Sequence, residues 1–164
     1  IKECDWSSDV CSSDLISLTT TGRLIRDLRA VTEWAHGATL DGQRAVDVPW
    51  IQQGLAKVHA KAQVLRLMNW KQAWAAESGR PEMAAASAIK VYGSELNIEA
   101  YRTFLEILGA AAVLRRDAKG AALRGRLESS YRSGLILTFG GGTNEIQRDI
   151  IAMAGLGKIG RAHV

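Results

Sequence analysis

Three consecutive glycines lead into a polar helix start in the part of this sequence best suited to hold a ligand. Residues 139–157 read FGGGTNEIQRDIIAMAGLG. Because glycine has no Cβ atom, a turn at residues 140–142 lets the flat face of a ligand approach the backbone closely. The helix expected after the turn presents N–H groups and the positive end of its dipole, which attract an anion or a polar cofactor edge. Glycine-rich turns often only connect helices, so the residues alone leave both interpretations open.

Metal ligation is not predicted anywhere in the chain. Cys4 and Cys11 are the two cysteines, and no histidine lies at ligand spacing from them, whereas a structural zinc needs four ligands. Glu95 and Glu99 are one helical turn apart and could pair at a metal. The Glu-x-x-His arrangement that marks a di-iron bundle does not accompany them.

Other chemically versatile residues are interpreted as surface or packing groups. The formal charge is only +4 and no nucleic-acid-binding motif accompanies it, so no nucleic-acid partner is predicted. A solvated loop, able at most to steer a phosphate, is expected to contain Arg115, Arg116, Lys119, Arg124 and Arg126. Packing or interface roles are predicted for Trp50, Trp70 and Trp74. Surface or capping roles are predicted for His36 and His59.

Length and composition indicate one globular domain. The 164 residues suffice to bury a core, and 47% hydrophobic with 23% charged residues is typical of a folded protein. The low proline content favours helix. No run of about eighteen apolar residues occurs, and no secretory signal is visible. A cytoplasmic protein without a membrane span is therefore predicted.

The periodicity of apolar residues predicts helices and no strands. A first helix is expected over residues 17–36, followed by a connection over residues 38–47 that contains the turn signal Asp41-Gly42. The apolar face of this helix is expected to contain Leu18, Ile25, Leu28, Val31 and Ala35. Asp47 is expected to cap the second helix, because Pro49 suits a first helical turn.

Two long helices are expected in the middle of the chain. The second helix should end at Ser78-Gly79, and the third should run from about Pro81 to Leu108. Because a tight glycine turn joins them, they are predicted to be antiparallel neighbours. The buried face of the second helix is expected to contain Ile51, Leu55, Val58, Ala62 and Leu65.

The last third of the chain is predicted to hold a loop and two shorter helices. Residues 109–125 are rich in glycine, alanine and arginine and form the loop, and residues 126–137 form a fourth helix. Asn144, with Gln147 three residues later, is interpreted as a capping box that opens the fifth helix. These elements predict an all-α, four- to five-helix up-down bundle in one compact unit.

Both ends differ from the patterned interior. Residues 6–15 read WSSDVCSSDL and residues 158–164 read KIGRAHV. Both resemble translated sequencing-adapter DNA, so residues 1–16 and 158–164 are predicted to be non-native and residues 17–157 to form the natural helical domain. The alternative is a genuine disordered tail rich in serine and aspartate.

Residues 142–148, GTNEIQR, resemble the signature near the C-terminus of acyl-CoA dehydrogenases. The long helix pair and residues 17–28 extend this resemblance over the patterned part of the chain. The resemblance implies a C-terminal four-helix bundle, a separate β flavin domain and FAD as the cofactor. It also implies that a proton leaves the α-carbon of an acyl-CoA while a hydride leaves the β-carbon for FAD. A partner protein resembling the electron-transfer flavoprotein is then expected to accept the electrons from the reduced FAD.

The resemblance leaves the catalytic base unassigned. In medium-chain-type members a glutamate directly precedes the Gly-Thr step, where this sequence has Gly141. Glycine cannot accept a proton. Other members, the isovaleryl-CoA type among them, carry the glutamate near the start of the first bundle helix, which falls just before Ser17 here. No catalytic residue is therefore assigned within the chain.

The resemblance implies two groups of cofactor contacts. Gly142, Thr143 and Glu145 take the positions near the flavin. Glu106 and Gly109 belong to EILGA, which is similar to the family's QILGG, the segment that meets the adenine dinucleotide end of a neighbouring subunit's FAD. The carboxylate of Glu106 weakens this contact, because a negative charge is unfavourable beside a pyrophosphate. Such departures resemble divergent bacterial members that often act on bulky sterol-derived or other unusual acyl-CoAs, some of them as heteromers.

Three hypotheses about function remain open. The first is the C-terminal domain of an FAD-dependent acyl-CoA dehydrogenase of fatty acid or sterol side-chain catabolism, inactive without its flavin domain and neighbouring subunits. The second is a non-catalytic subunit of a heteromeric enzyme, whose partner supplies the base. The third is a helical interaction module that binds no flavin.

Overall fold

The computed structural model describes residues 19–80, 82–116 and 118–157, and most of them are helical. Within these residues the α-helices are α1 Gly22–Gly37, α2 Pro49–Glu77, α3 Met83–Leu108, α4 Arg126–Gly134 and α5 Asn144–Ile150. Short 3₁₀ turns cover Ala45–Asp47, Gly109–Ala112, Ala122–Gly125 and Leu135–Thr138, and a π turn covers Ile151–Gly155. The all-α fold class is confirmed. The adapter-like segments and Leu18 lie outside the described residues, so the predicted domain boundaries stay a prediction.

The prediction of no strands is wrong at one place. Thr39–Leu40 pairs antiparallel with Gln43–Arg44, and Asp41 and Gly42 form the turn between them. Both turn residues have positive φ, 50° and 82°, a combination that matches the twist of a two-residue hairpin. The sequence shows the turn but not the strands, because two residues per strand cannot display an alternating pattern.

Two helix starts differ from the predictions. α1 begins at Gly22 and not at Ser17, with three β-branched threonines before it, a residue type of low helix propensity. α2 begins after Val48, whose carbonyl accepts hydrogen bonds from the N–H groups of Ile51 and Gln52. Asp47 does not cap this helix, because its carboxylate pairs with Arg44 at 2.7 Å.

The ends of the long helices agree closely with the predictions. α2 ends at Glu77, and Gly79 follows with φ 69°. The N–H groups of Gly79 and Arg80 donate to the carbonyls of Ala76 and Ala75, the pattern of a glycine-terminated helix. α4 is shorter than predicted, since the chain tightens into a 3₁₀ turn after Gly134.

The described residues fall into two compact units, and each unit takes part of α2 and part of α3. The hairpin unit comprises residues 21–64 and 96–135, and the turn unit comprises residues 19–20, 65–95 and 136–157. Among the described residues, no helix has the length and apolar character needed to cross a membrane.

The hairpin unit is built on α1 and on the adjoining parts of α2 and α3. α2 and α3 are antiparallel neighbours here, as predicted. A Cβ atom at Gly54 would lie 3.0 Å from Cγ2 of Thr103, and Lys61, further along α2, pairs with Glu99, which lies earlier in α3. The predicted apolar face of α1 is shifted, since Leu24 is buried and Ile25 is partly exposed. The buried apolar residues shared by these helices include Leu28, Val31, Ala35, Ile51, Leu55, Val58, Ala62, Leu96, Ala100 and Phe104.

A charged group lies inside this apolar core. The side chain of Asp27 is 0% exposed. One of its oxygens accepts a hydrogen bond of 2.7 Å from the Tyr101 hydroxyl, and the other pairs with Arg126 at 2.8 Å. Burial, together with the hydrogen bond to Asp27, raises the pKa of Tyr101 above its usual range. The sequence predicted that Arg126 lies in a solvated basic loop. In the structure Arg126 instead joins α4 to α1 through Asp27.

The turn unit has a more polar interior. Among the described residues, seven of the nine buried polar or charged side chains belong to it. They are Thr19, Gln72, Ser87, Lys90, Ser94, Asn144 and Gln147. A buried polar group is costly without a partner. Four of these side chains, Lys90, Ser94, Asn144 and Gln147, form hydrogen bonds to or within residues 138–147.

Candidate functional site

The glycine turn predicted from the sequence is present and joins the 3₁₀ turn Leu135–Thr138 to α5. The N–H groups of Phe139 and Gly140 donate to the carbonyl of Ile136 at 3.1 and 2.8 Å. Gly141 and Gly142 then have φ values of 71° and 88°. This backbone region disfavours other residues, so the turn requires glycine for conformational reasons.

Gln147 supports the turn from α5. Its side-chain nitrogen donates to the carbonyl of Gly141 at 2.8 Å, and its side chain is almost completely buried. A Cβ atom at position 142 would lie 3.1 Å from that nitrogen. The lack of a side chain at Gly142 therefore leaves room for a contact within the protein, in addition to any ligand.

Lys90 of α3 lies beneath the turn and is 1% exposed. Its ammonium group donates to the carbonyls of Thr138 at 3.2 Å and Gly142 at 2.6 Å, and to Oδ1 of Asn144 at 2.7 Å. Three acceptors match the three N–H groups of an ammonium ion. Burial lowers the pKa of Lys90 from its usual 10.5, partly offset by the negative charge of Glu145.

Asn144 extends this network. Its side-chain nitrogen donates to Oγ of Ser94 at 3.1 Å and lies 3.4 Å from Oε1 of Glu95. The same carboxylate forms an ion pair with Arg148. The side chains of α3 thus hold both the turn and the first residues of α5 in place.

The capping-box prediction is wrong by one residue. Thr143 is the cap of α5, since its hydroxyl oxygen accepts from the N–H of Ile146 at 3.4 Å and its backbone is extended. Asn144 is the first helical residue and bonds to Lys90 instead. Glu145 is exposed in the first turn, and its own backbone N–H, followed by the Thr143 hydroxyl, lowers the pKa of its carboxyl.

The predicted cofactor residues divide between the two units. Gly142, Thr143 and Glu145 lie together in the turn unit. Glu106 and Gly109 lie at the end of α3 in the hairpin unit, where both are exposed and Gly109 has φ 61°. Arg102, one turn before Glu106, is the nearby positive charge.

Glu95 and Glu99, the two glutamates that were candidates for a metal site, form ion pairs with basic side chains instead. Glu95 pairs with Arg148, and Glu99 pairs with Lys57 at 2.8 Å and Lys61 at 2.5 Å. Within residues 19–80, 82–116 and 118–157, no group of three or more His, Cys, Asp or Glu is placed to hold a metal ion.

Two histidines and three tryptophans that were singled out in the sequence lie at the surface. His36 and His59 are exposed, as predicted, and both line an open groove of about 520 Å³ in the hairpin unit. Trp50, Trp70 and Trp74 are 48%, 60% and 69% exposed, so they do not pack in the core of the chain. The Arg66 guanidinium lies 4.8 Å above the ring of Trp70.

Sequence reasoning missed Lys90. A detectable signal was its spacing, since Lys90 follows Ala86 by four residues and precedes Ser94 by four, on the face of α3 that the core covers. A lysine on such a face needs internal acceptors. The identity of those acceptors, two backbone carbonyls about fifty residues later, is not visible in the sequence.

Comparisons with known proteins identify relatives of the whole described region. A family model described as "Acyl-CoA dehydrogenase, C-terminal domain" matches residues 15–156. Acyl-CoA dehydrogenase FadE26 from Mycobacterium tuberculosis is 51% identical over 147 residues, which cover 87% of this chain and 36% of FadE26. Acyl-CoA dehydrogenase FadE29 from the same organism is 31% identical over 145 residues, which cover 88% of this chain and 37% of FadE29.

Two solved structures match at similar coverage. The ChsE4-ChsE5 complex from Mycobacterium tuberculosis superposes with a TM-score of 0.82 and 51% identity. The Tcur3481-Tcur3483 steroid ACAD superposes with a TM-score of 0.83 and 40% identity. Each match covers 90% of this chain and 38% of the solved chain. The chain therefore spans between 36% and 38% of the length of these relatives.

Proposed function

Because the chain belongs to the acyl-CoA dehydrogenase family through its C-terminal domain, we propose that it is the C-terminal bundle of an FAD-dependent enzyme. The proposed reaction introduces an α,β double bond into an acyl-CoA thioester. The observation that carries the proposal is the Gly142-Thr143 step, which begins α5 on a turn that Lys90 holds from inside the protein.

The residues around the turn fit a flavin. The glycines remove side chains from the turn, while Ile136, Phe139 and Ile146 beside it are 63%, 60% and 55% exposed. Exposed apolar groups next to bare backbone suit a flat ring system with a polar edge. Bound FAD would accept the hydride that leaves the β-carbon. Gly142, Thr143 and Glu145 are the proposed contacts to the flavin.

The second proposed set of contacts fits less well. Glu106 and Gly109 would meet the adenine dinucleotide end of the FAD bound by a neighbouring subunit. The glycine conformation suits a close backbone approach, but the carboxylate of Glu106 repels a pyrophosphate. Arg102 one turn away reduces this repulsion. The contact is therefore expected to be weaker than one made by an uncharged amide.

The proposed catalytic base lies outside residues 19–157. Gly141, at the position where medium-chain-type members carry a glutamate, contributes a carbonyl that accepts from Gln147. It has no group that takes a proton. We propose that a glutamate before Ser17 in the natural protein removes the α-proton, as in members of the isovaleryl-CoA type.

A bulky acyl group and a second kind of subunit are proposed from the relatives. The Tcur3481-Tcur3483 structure is described as a steroid ACAD, and both solved relatives are complexes of two differently named chains. A heteromer acting on a sterol-derived acyl-CoA, with an acceptor resembling the electron-transfer flavoprotein, is the corresponding proposal here. The cytoplasmic location remains a sequence-based prediction.

A non-catalytic subunit is the second candidate, and Gly141 is the observation that favours it. Such a subunit would keep the turn and the FAD contacts while another chain supplies the base. The two candidates differ in one residue, the glutamate proposed before Ser17. The helical-module hypothesis predicts no flavin binding, whether or not this glutamate is present.

The test requires the natural coding sequence on both sides of this segment, obtained by sequencing the source DNA outward. The full-length protein, coexpressed with a neighbouring acyl-CoA dehydrogenase gene where one exists, is expected to show a flavin spectrum that bleaches anaerobically with a steroidal acyl-CoA. A bound flavin without an upstream glutamate and without bleaching would select the non-catalytic subunit. Absence of flavin would leave the helical module.

The 164-residue chain by itself is expected to hold no FAD tightly and to oxidise no acyl-CoA. It spans little more than a third of its relatives and supplies no base within the described residues. Purified chain with stoichiometric flavin and acyl-CoA-dependent bleaching would contradict both parts of this expectation.

A further inference from the structure

Lys90 joins the two ends of the glycine turn. Its ammonium group bonds to the carbonyl of Thr138 before the turn, to that of Gly142 at the end of it, and to Asn144 just after it. Within α2 and α3 the backbone carbonyls accept from their own helices, whereas the irregular turn must find other donors. The ammonium group of Lys90 supplies donors to two such carbonyls and a third donor to the side chain of Asn144.

We infer that Lys90 is a positioning residue that holds residues 138–144 in the conformation that receives the flavin. This inference rests on the proposed function. Lys90 is 1% exposed and reaches the turn from inside the protein, so it acts through the backbone of Gly142 and the side chain of Asn144. It takes no proton from substrate.

Burying Lys90 costs free energy, and this cost is explained if the lysine is needed to hold the turn in its conformation. Among the described residues its hydrogen-bond partners are uncharged, and the carboxylates of Glu95 and Glu145 act on it only through space. A buried charge without a hydrogen-bonded counterion is unfavourable compared with an apolar side chain. An apolar residue would complete the core of α3, but it would leave the two carbonyls of the turn without these donors.

The first experiment measures the turn without any flavin. In the 164-residue chain, Lys90→Met retains an unbranched chain as long as the aliphatic part of lysine and removes the ammonium donors. Amide hydrogen exchange of residues 139–146 is expected to accelerate by about tenfold or more, since a hydrogen bond to a charged group is worth roughly one factor of ten. Exchange in residues 49–64 should be unchanged.

The matched control is Tyr101→Phe in the hairpin unit. It removes one buried hydrogen bond, to Asp27, without touching the turn. It is expected to lower the free energy of global unfolding. Amide exchange at residues 139–146 should then accelerate by no more than this loss of global stability explains. Equal protection of these amides in the wild type and in Lys90→Met would overturn the inference, independently of any measurement of FAD binding.

The second experiment uses the full-length flavoprotein. Lys90→Met is expected to weaken FAD binding by about tenfold and to shift the visible absorption bands of the flavin that remains. Lys90→Arg, which keeps the charge and several donors, should restore a large part of the affinity. The Tyr101→Phe control should keep the wild-type spectrum.

The outcomes separate the inference from the proposed function. A wild-type protein that binds FAD, with Lys90→Met showing the same affinity and spectrum, overturns the flavin role of Lys90 and leaves the proposed function intact. A wild-type protein that binds no FAD overturns the proposed function, and the flavin role of Lys90 with it. Faster exchange together with weaker FAD binding supports the inference.

Discussion

Among the residues that the structure describes, each of the two units buries one charged side chain, and the two charges are held in different ways. Asp27 of the hairpin unit has a charged partner, Arg126, and a hydroxyl donor, Tyr101. Lys90 of the turn unit is held by two backbone carbonyls and an amide oxygen. Asp27 connects regular helices to one another, whereas Lys90 connects a helix to an irregular segment.

The difference separates a network that holds helices together from one that holds an irregular turn. Helices α1, α3 and α4 satisfy their own backbone groups, so the Asp27 cluster can only hold them together. The turn at residues 139–142 lacks such internal order and takes its shape from Lys90, Asn144 and Gln147. We therefore expect changes at Asp27 to act on the whole unit and changes near Lys90 to act locally.

The largest effect is expected from Asp27→Ala. This substitution leaves the Tyr101 hydroxyl without its acceptor and opens a cavity, whereas the Arg126 side chain is 41% exposed and stays hydrated. Loss of the hydrogen bond to a buried charge, together with the cavity, should cost about 2–3 kcal/mol. Urea denaturation followed by circular dichroism measures the loss. A loss below about 1 kcal/mol, the range of an exposed pair, would contradict the assignment of Asp27 as the central polar contact of the hairpin unit.

A smaller effect is expected from Gly142→Ala in the turn unit. A residue with a Cβ atom at φ 88° costs about 1–2 kcal/mol, and the new atom would lie 3.1 Å from the Gln147 side chain. Gly22→Ala is the matched control, because its Cβ atom would meet nothing within 4 Å and its φ is not positive. Thermal unfolding of both variants should show destabilisation only for Gly142→Ala.

Removal of the α5 cap is expected to have a still smaller effect. Thr143→Ala removes the side-chain acceptor for the N–H of Ile146 and should cost about 1 kcal/mol. Thr143→Ser keeps the hydroxyl and should retain most of the stability. If Asn144 were the cap, as the sequence suggested, Thr143→Ala would leave the free energy of unfolding unchanged.

The smallest effect concerns pH. Hydrogen bonds from Lys57 and then Lys61 lower the pKa of Glu99 in the folded chain from its usual 4.5. The unfolded chain then binds more protons between the two pKa values, so the Glu99 contribution to stability is present above pH 4.5 and lost as the pH falls through the folded pKa. With a side chain 36% exposed, the contribution should stay below about 1 kcal/mol.

Comparison of unfolding free energies of the wild type and Glu99→Gln at pH 7 and pH 3 measures this contribution. The difference between the two proteins should shrink at the lower pH. A difference that stays constant across this range would show that the pairs of Glu99 with Lys57 and Lys61 contribute no pH dependence.

Most of the fold could be predicted from local patterns. The apolar spacing of α2 from Ile51 to Leu65 and the glycine after Glu77 describe the helix and its end, because both depend on residues close in sequence. The predictions that Asp47 and Asn144 cap helices are wrong for a common reason. Each is a good capping residue that a neighbour, Arg44 or Lys90, engages in another contact.

The sequence by itself determined the helical class, the two long helices, the glycine turn and the resemblance to a family. These follow from periodicity, propensity and a contiguous motif. Only the tertiary structure decided that Thr143 caps α5, that Asp27 and Arg126 meet inside the hairpin unit, and that Lys90 holds the turn. The contacts of Asp27 with Arg126 and of Lys90 with the turn join residues about fifty to a hundred positions apart, and their energy depends on burial and distance, which a linear pattern does not specify. The cap is local, but Lys90 engages the competing candidate Asn144 from a distant part of the chain.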